Sequence, residues 1–598
     1  MQTSVLATSA PAAGTVEAQL LRVPTPSESP HLPVRLADFP TITAALDYAA
    51  RGETGFNFYD ARGTLATALP YRELRDQAVV MAGRLAGAGV HPGDRVALLA
   101  ATGPDFLVMF FGCLYGAIIP VPLPLPTAFG RRENYVDQIR GQIKSSGARL
   151  VIGAQEFVPI VTEASTGLDL ILVGTRADLN AAPERSDGVR PGGTDMLAYI
   201  QYSSGSTRFP TGVCVTHANL MANGRSMCRD GLKLRAGDRA VSWLPFFHDM
   251  GLVGFMLAPL VSQATVDYLA TEDFARRPLT WLKLLSENGG TVSYAPSFGY
   301  ELCARRVSTR GEGARGLDLS RWRVAGIGGE MIKPQVMLQF ADAFRPHGFS
   351  DKAFCASYGL AECVLAATFA ELGAGMTIDH VAKDALAQDH RAVPIAADAG
   401  DRARVFVACG KVVAEHQMEI RGPDGAVLGE RQVGRVFFHG PSVMQGYFND
   451  PDATAEALNN GWLDTGDLGY WIADELVIVG RAKDMLIING RNIWPQDIEW
   501  TVEHMDGLRS GDSAAIVLTA EDGGDRPTIL VQCRPTDAAD RTRLMTEVRA
   551  RVMEAVGVAC EVVLVPPRSL PKTSSGKLAR GKAKTLFMSG ELTALEQP

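Results

Sequence analysis

The sequence predicts an α/β protein with mainly parallel sheets, on three observations. Segments with apolar residues at helical spacing alternate with short, uniformly apolar runs that read as buried strands, the pattern of crossover-linked parallel sheets. The 598 residues exceed what one hydrophobic core can organise, so roughly two to four domains are expected. With 46% hydrophobic and 7% aromatic residues, the chain has ample material for their cores.

Taken in order, residues 1–34 are rich in Ala, Pro, Ser and Thr and lack a basic start followed by an apolar core. They read as a flexible leader and not as a secretion signal. Thr41 to Ala50 and Tyr71 to Ala88 carry helical spacing, and Pro92-Gly93-Asp94 introduces a strand over Arg95 to Leu99. Phe106 to Ile119 is the longest uninterrupted apolar run. It falls short of the roughly 18 to 20 residues that span a bilayer and reads as a buried helix stopped by Pro120. Tyr135 to Ser145 follows as a helix, with Arg149 to Ile152 and Leu170 to Val173 as strands.

Charge and cysteines narrow the class. Against 58 Lys and Arg stand 66 Asp and Glu, a net charge of -8 that disfavours a general nucleic-acid binder. The nine cysteines are scattered without a Cys-x-x-Cys pair, which points to reduced thiols in a cytoplasmic protein and away from a zinc site.

Several motifs carry chemistry. Tyr202 to Val213 packs Ser203, Ser204, Gly205, Ser206 and Thr207 into a turn between apolar segments. Glycines let backbone N–H groups approach phosphate oxygens and hydroxyls add donors; an ordinary polar loop is the other reading. It is not a Walker loop, because Thr211-Gly212 stands where a lysine is required. Such a site belongs at the carboxyl ends of parallel strands. His248 sits among aromatics in Trp243-Leu244-Pro245-Phe246-Phe247-His248-Asp249, as a packed core histidine or a site residue. Val324 to Glu330 reads as a strand running into the turn Gly328-Gly329-Glu330. Tyr358-Gly359-Leu360-Ala361-Glu362 sets an aromatic face four residues from a carboxylate, suited to a purine and a metal. Asp467, after the turn beginning at Gly461, suits a sugar diol; Arg481 follows one hairpin later in Gly480-Arg481-Ala482-Lys483-Asp484, which also reads as a charged surface turn. Pro571 to Lys577 is a polar loop with a lysine at its tip, in a basic tail with Lys572, Arg580, Lys582 and Lys584.

In this order the motifs resemble the adenylate-forming superfamily of acyl-CoA synthetases, peptide-synthetase adenylation domains and luciferases, over about residues 36–590. Within it the chain is most similar to fatty acyl-AMP ligases. The features shared with them are Ser204-Gly205-Ser206-Thr207-Arg208, Leu244 to Leu252, Tyr300-Glu301-Leu302-Cys303 and Gly490 to Glu499, together with the long segment from Glu371 to Cys409. That segment resembles the insertion that in the family limits domain motion and disfavours CoA as acceptor. Two departures stand out: Thr211 replaces a lysine common in CoA ligases, and Trp494 stands where tyrosine or histidine is common.

The resemblance implies an adenylating domain over 35–480 with its insertion at 371–409, a hinge at 481–484 and a small mobile α+β domain over 485–598. It implies ATP with Mg²⁺, a fatty acid, and a separate acyl carrier protein whose phosphopantetheine thiol takes the acyl group. Ser203 to Thr207 would hold the phosphates and Glu362 the Mg²⁺. Gly328, Gly329 and Glu330 would border adenine with Tyr358 stacked on it, Gly359 and Leu360 would also contact the nucleotide, and Asp467 and Arg481 would hold the ribose. His248 would mark the junction of acyl tunnel and nucleotide. Lys577 would bridge carboxylate and α-phosphate, neutralising two anions brought together. No base is needed, since the acid is already ionised. The alternatives are an acyl-CoA synthetase and a non-catalytic nucleotide-binding protein.

Overall fold

The computed structural model describes residues 32–126, 132–187, 189–203, 211–310, 314–488, 491–519, 525–534, 537–572 and 578–595. The phosphate-loop residues Ser204, Gly205, Ser206 and Thr207, and Lys577, lie outside them.

The expected helices form where the apolar spacing dictates. Tyr71–Gly87 buries Tyr71, Leu74, Ala78, Met81, Ala82 and Leu85 along one stripe. That stripe packs on Pro104–Tyr115, where Gly112 allows close approach: a Cβ there would meet the Met81 side chain at 2.8 Å. Thr41 caps Ile42–Ala49 by accepting from the Ala44 N–H. The long apolar run divides differently from expectation. Its helix ends at Tyr115, and Ile119–Leu123 is a strand containing both Pro120 and Pro122. It lies at one end of its sheet, where missing N–H donors are tolerated.

Parallel pairing dominates the N-terminal part. In a nine-stranded sheet, Phe354–Gly359, Val324–Ile327, Val292–Ala295, Arg239–Ser242, Thr265–Leu269 and Gly55–Tyr59 run parallel, flanked by antiparallel strands. A second sheet orders Ile119–Leu123, Arg95–Leu99, Ala148–Ile152 and Leu172–Gly174, all parallel. Within the larger sheet, Arg239 donates to both carboxylate oxygens of Asp267 at 2.7 and 2.6 Å, and Asn57 donates to the same carboxylate at 2.8 Å. These groups are fully buried, so their mutual pairing is what makes them tolerable in the core.

An antiparallel sheet follows, built on Gln417–Arg421, Gly434–His439, Trp462–Ile472 and Glu475–Arg481. The last part of the chain packs Pro495–Glu503 and Ala538–Val556 against the three strands Ser513–Thr519, Asp525–Gln532 and Glu561–Val565. The architecture is therefore a large, mainly parallel N-terminal domain followed by a small mixed C-terminal domain.

The 371–409 segment contains the antiparallel pair Ile378–Ala382 and Ala403–Val407 and the helix Lys383–Gln388. It reaches the C-terminal part directly. Arg404 Nε lies 2.9 Å from Asp497 Oδ1, and Lys383 donates to the Ala555 carbonyl at 3.3 Å. Trp494 packs beside Arg404, 5.3 Å from its guanidinium, and against Gly480, where a Cβ would fall 2.7 Å from the indole.

Candidate active site

The parallel strands deliver the site. Val324–Ile327 runs into Gly328, Phe354–Gly359 into Leu360, and Arg239–Ser242 into the loop ending at His248, so the loops gather at the strands' carboxyl ends. One cavity of about 2290 Å³ collects Ser203, His248, Gly328, Gly329, Glu330, Tyr358, Gly359, Leu360, Glu362, Asp467 and Arg481. Every expected site residue within the described part lines it.

Two local structures differ from expectation. Leu197–Tyr202 and Gly212–Thr216 form an antiparallel hairpin, separate from the parallel sheets, and the phosphate-loop candidate connects its strands. Ser203 donates its N–H to the Thr211 carbonyl at 3.0 Å, closing the base of that connection. Asp467 stands in the middle of the strand Trp462–Ile472, directly opposite Arg481 in the register. Gly466 at φ +75° supplies a left-handed residue within that strand, which glycine alone adopts freely.

The polar groups are fixed by one another. Tyr358 Oη donates to Asp467 Oδ2 at 2.6 Å, and Arg481 Nε lies 3.3 Å from Asp467 Oδ1. Burial first, and that carboxylate second, push the Tyr358 hydroxyl well above its ordinary range, so it remains a donor. Gly329 sits at φ +80° in its turn. Glu330 accepts from the Phe298 N–H at 3.4 Å.

His248 is a lining residue, not a core one. Its loop is held by Gln201, which donates to the Phe247 carbonyl at 2.7 Å, and by Phe246, stacked on Phe106 at 5.3 Å. Nδ1 faces Asp249 Oδ1 at 2.6 Å, which fixes the ring's orientation.

Glu362 accepts from Tyr447 Oη at 2.9 Å, and burial raises its carboxyl pKa. A cation beside it would relieve that cost, so the residue suits a metal. Among the described residues no three His, Cys, Asp or Glu side chains cluster as a metal cage. One carboxylate with substrate phosphate oxygens is a common way to hold Mg²⁺. Tyr447 escaped sequence reasoning; its only local signal is an aromatic after Gly446.

Farther along the chain, Lys572 and Leu578, which flank the lysine-bearing segment, pair with one another and line the same cavity. Arg580 belongs to the basic tail, which reads either as a solvated face or as a group reaching a phosphate or an acidic partner. It grips Glu499 through two contacts at 2.7 and 2.6 Å and reaches Asp484 at 3.2 Å, acidic partners within the chain. Lys483 remains exposed, yet partial desolvation and then the Arg481 charge lower its ammonium pKa.

Away from the polar cluster the cavity wall turns apolar, with Met227, Leu232, Phe255, Ala258, Leu365 and Phe369. Polar and apolar side chains thus line one cavity, with room for both a polar and an apolar group.

Comparison with known proteins places the chain in a class. A family model described as AMP-binding enzyme matches residues 56–448, and one described as AMP-binding enzyme C-terminal domain matches residues 490–583. The chain belongs to the AMP-binding enzyme family, the adenylate-forming ligases, whose members use ATP. A Caulobacter vibrioides protein provisionally named an acyl-CoA synthetase is 50% identical over 96% of this chain and 99% of its own length. JamA of Moorena producens, named a medium-chain-fatty-acid–[acyl-carrier-protein] ligase, is 31% identical over 94% of this chain and 97% of its own. A solved structure from a study of fatty acyl-adenylate ligases of E. coli and L. pneumophila superposes with a TM-score of 0.89 at 45% identity, covering 94% of this chain and all of that one (100%). Among the described residues no helix is long and apolar enough to cross a membrane.

Proposed function

We propose that this chain activates a fatty acid with ATP, forming fatty acyl-AMP and pyrophosphate, and passes the acyl group to the phosphopantetheine thiol of a separate acyl carrier protein. The observation that carries this is one shared cavity. Tyr358, Asp467, Arg481 and His248 line it together with the apolar side chains Met227, Leu232, Phe255, Ala258, Leu365 and Phe369.

Ser203, with Ser204 to Thr207 outside the described residues, holds the phosphates. Gly328, Gly329 and Glu330 border adenine, Tyr358 supplies its stacking face, and Gly359 and Leu360 contact the nucleotide beside it. Asp467 and Arg481 hold the ribose hydroxyls, and Glu362 holds Mg²⁺, which neutralises phosphate charge when bound. His248 marks where the fatty carboxylate emerges from the recess. Lys577 bridges that carboxylate and the α-phosphate. Positioning and charge neutralisation carry most of the rate in such a reaction, with no general base required.

The chain divides into an adenylating domain over 35–480, a hinge at 481–484 and a lid over 485–598. Between half-reactions the lid turns about Lys483, withdrawing Lys577 and admitting the carrier arm. Contacts from Arg404 and Lys383 to the lid support restricted motion by the 371–409 segment, and with it discrimination against CoA.

Use of CoA is the second reading, favoured by the name of the 50% identical Caulobacter relative. Mass spectrometry of products from ATP, Mg²⁺ and a fatty acid, offered CoA or a phosphopantetheinylated carrier protein, separates the two. Acyl-carrier without acyl-CoA is expected; ready accumulation of acyl-CoA would favour the second reading.

A further inference from the structure

The apolar recess shares one ring with a neighbouring cavity. Phe369 lines it with Met227, Leu232, Phe255 and Ala258, and also lines a second cavity of about 120 Å³ bordered by Gly231, Lys233, Glu371 and Lys411. The rim of that outer cavity faces solvent: Lys233 and Glu371 pair there at 3.2 Å with side chains 57% and 63% exposed. Phe369 therefore stands between a greasy interior and a surface pocket with a charged rim.

Its backbone is clamped. Phe369 pairs with Ser357 on one side and Lys411 on the other. Gly410 lies so close that a Cβ on it would fall 2.0 Å from the Phe369 carbonyl. Only the side chain has freedom. Its ring edge rests on Gly231, where a Cβ would fall 2.5 Å from Cδ2. Gly231 lines the outer cavity and not the recess, so any atom added there presses the ring inward.

We propose that Phe369 is the residue that sets acyl chain length, its ring forming both the floor of the acyl recess and the partition from the outer cavity, with Gly231 as its seat. This rests on the fatty-acid reading above. A chain ending short of the ring leaves apolar wall unfilled, about fourfold in affinity per missing methylene. One that reaches past it must displace a ring whose backbone cannot yield.

The test is kcat/KM for acyl-AMP formation across saturated fatty acids of rising length, in the wild type, Phe369→Ala and Gly231→Ala. Phe369→Ala joins the two cavities and should move the upper cut-off to longer acids, raising rates beyond the wild-type limit about tenfold or more. Gly231→Ala should move it to shorter acids. Should Phe369→Ala lose activity on every acid, Phe369→Leu replaces it with the same expected direction. Profiles whose cut-off coincides with the wild type in both variants would overturn the assignment, as would a wild type with no upper cut-off, leaving the fatty-acid reading intact. A wild type that adenylates no fatty acid overturns both.

Discussion

Tyr358 donates its hydroxyl to Asp467 at 2.6 Å, joining the end of a parallel-sheet strand to the middle of an antiparallel one. The same carboxylate meets Arg481 on the neighbouring strand at 3.3 Å. Aromatic face, acid and guanidinium are thus held as one unit by their own contacts. Asp467→Asn should raise KM for ATP by about tenfold to a hundredfold, the range for a lost charged hydrogen bond. Tyr358→Phe keeps the ring and should cost about tenfold or less, read from the same titrations. Equal losses in both would mean that the Tyr358 hydroxyl matters as much as the Asp467 charge, contradicting the smaller cost expected for Tyr358→Phe.

Arg404 and Asp497 meet at 2.9 Å between the 371–409 segment and the helix Pro495–Glu503. Burial pushes the Asp497 carboxyl up and the Arg404 guanidinium down, and each offsets the other's cost. Removing one charge strands its partner, which costs about 3–5 kcal/mol in buried pairs. Arg404→Ala should therefore speed hydrogen exchange across 495–503. The double replacement Arg404→Leu with Asp497→Leu should restore much of the protection. Unchanged exchange in Arg404→Ala would show that the contact does not hold the helix Pro495–Glu503.

Glu362 links stability to pH. Burial raises its carboxyl above the ordinary value of 4.5, so the native state keeps that proton to higher pH than the unfolded chain does. Its contribution is most favourable below pH 4.5 and declines as pH rises through the raised native value. Glu362→Gln keeps an acceptor for Tyr447 and should melt above the wild type at neutral pH, with the advantage vanishing below pH 4.5. The same variant should slow Mg²⁺-dependent adenylation about tenfold or more. A lower melting temperature at neutral pH would contradict the burial cost assigned to this carboxylate.

The candidate residues that share one cavity were legible because each loop follows a strand, and strand-then-glycine patterns are written in neighbouring residues. Gly328, Gly329, Glu330, Tyr358 and Glu362 all line the cavity for that reason. What escaped depends on partners distant in the chain. Tyr447 reaches Glu362 across 85 residues, and Arg580 reaches Glu499 across 81. Pro120 was expected to end a helix, yet it sits in a terminal strand of its sheet, where its missing donor costs little. Trp494 had no consequence attached to it; its contact with Gly480 and Arg404 becomes visible only once the two parts of the chain are packed together.

The most direct measurement is fatty-acid-dependent ATP–pyrophosphate exchange in the wild type and Lys577→Ala, with ATP binding measured in parallel. Exchange should require the acid and fall about a hundredfold or more in Lys577→Ala, the loss of a transition-state donor worth about 3 kcal/mol, while ATP still binds. Exchange that ignores the fatty acid, or that survives in Lys577→Ala, would contradict acyl adenylation at this cavity.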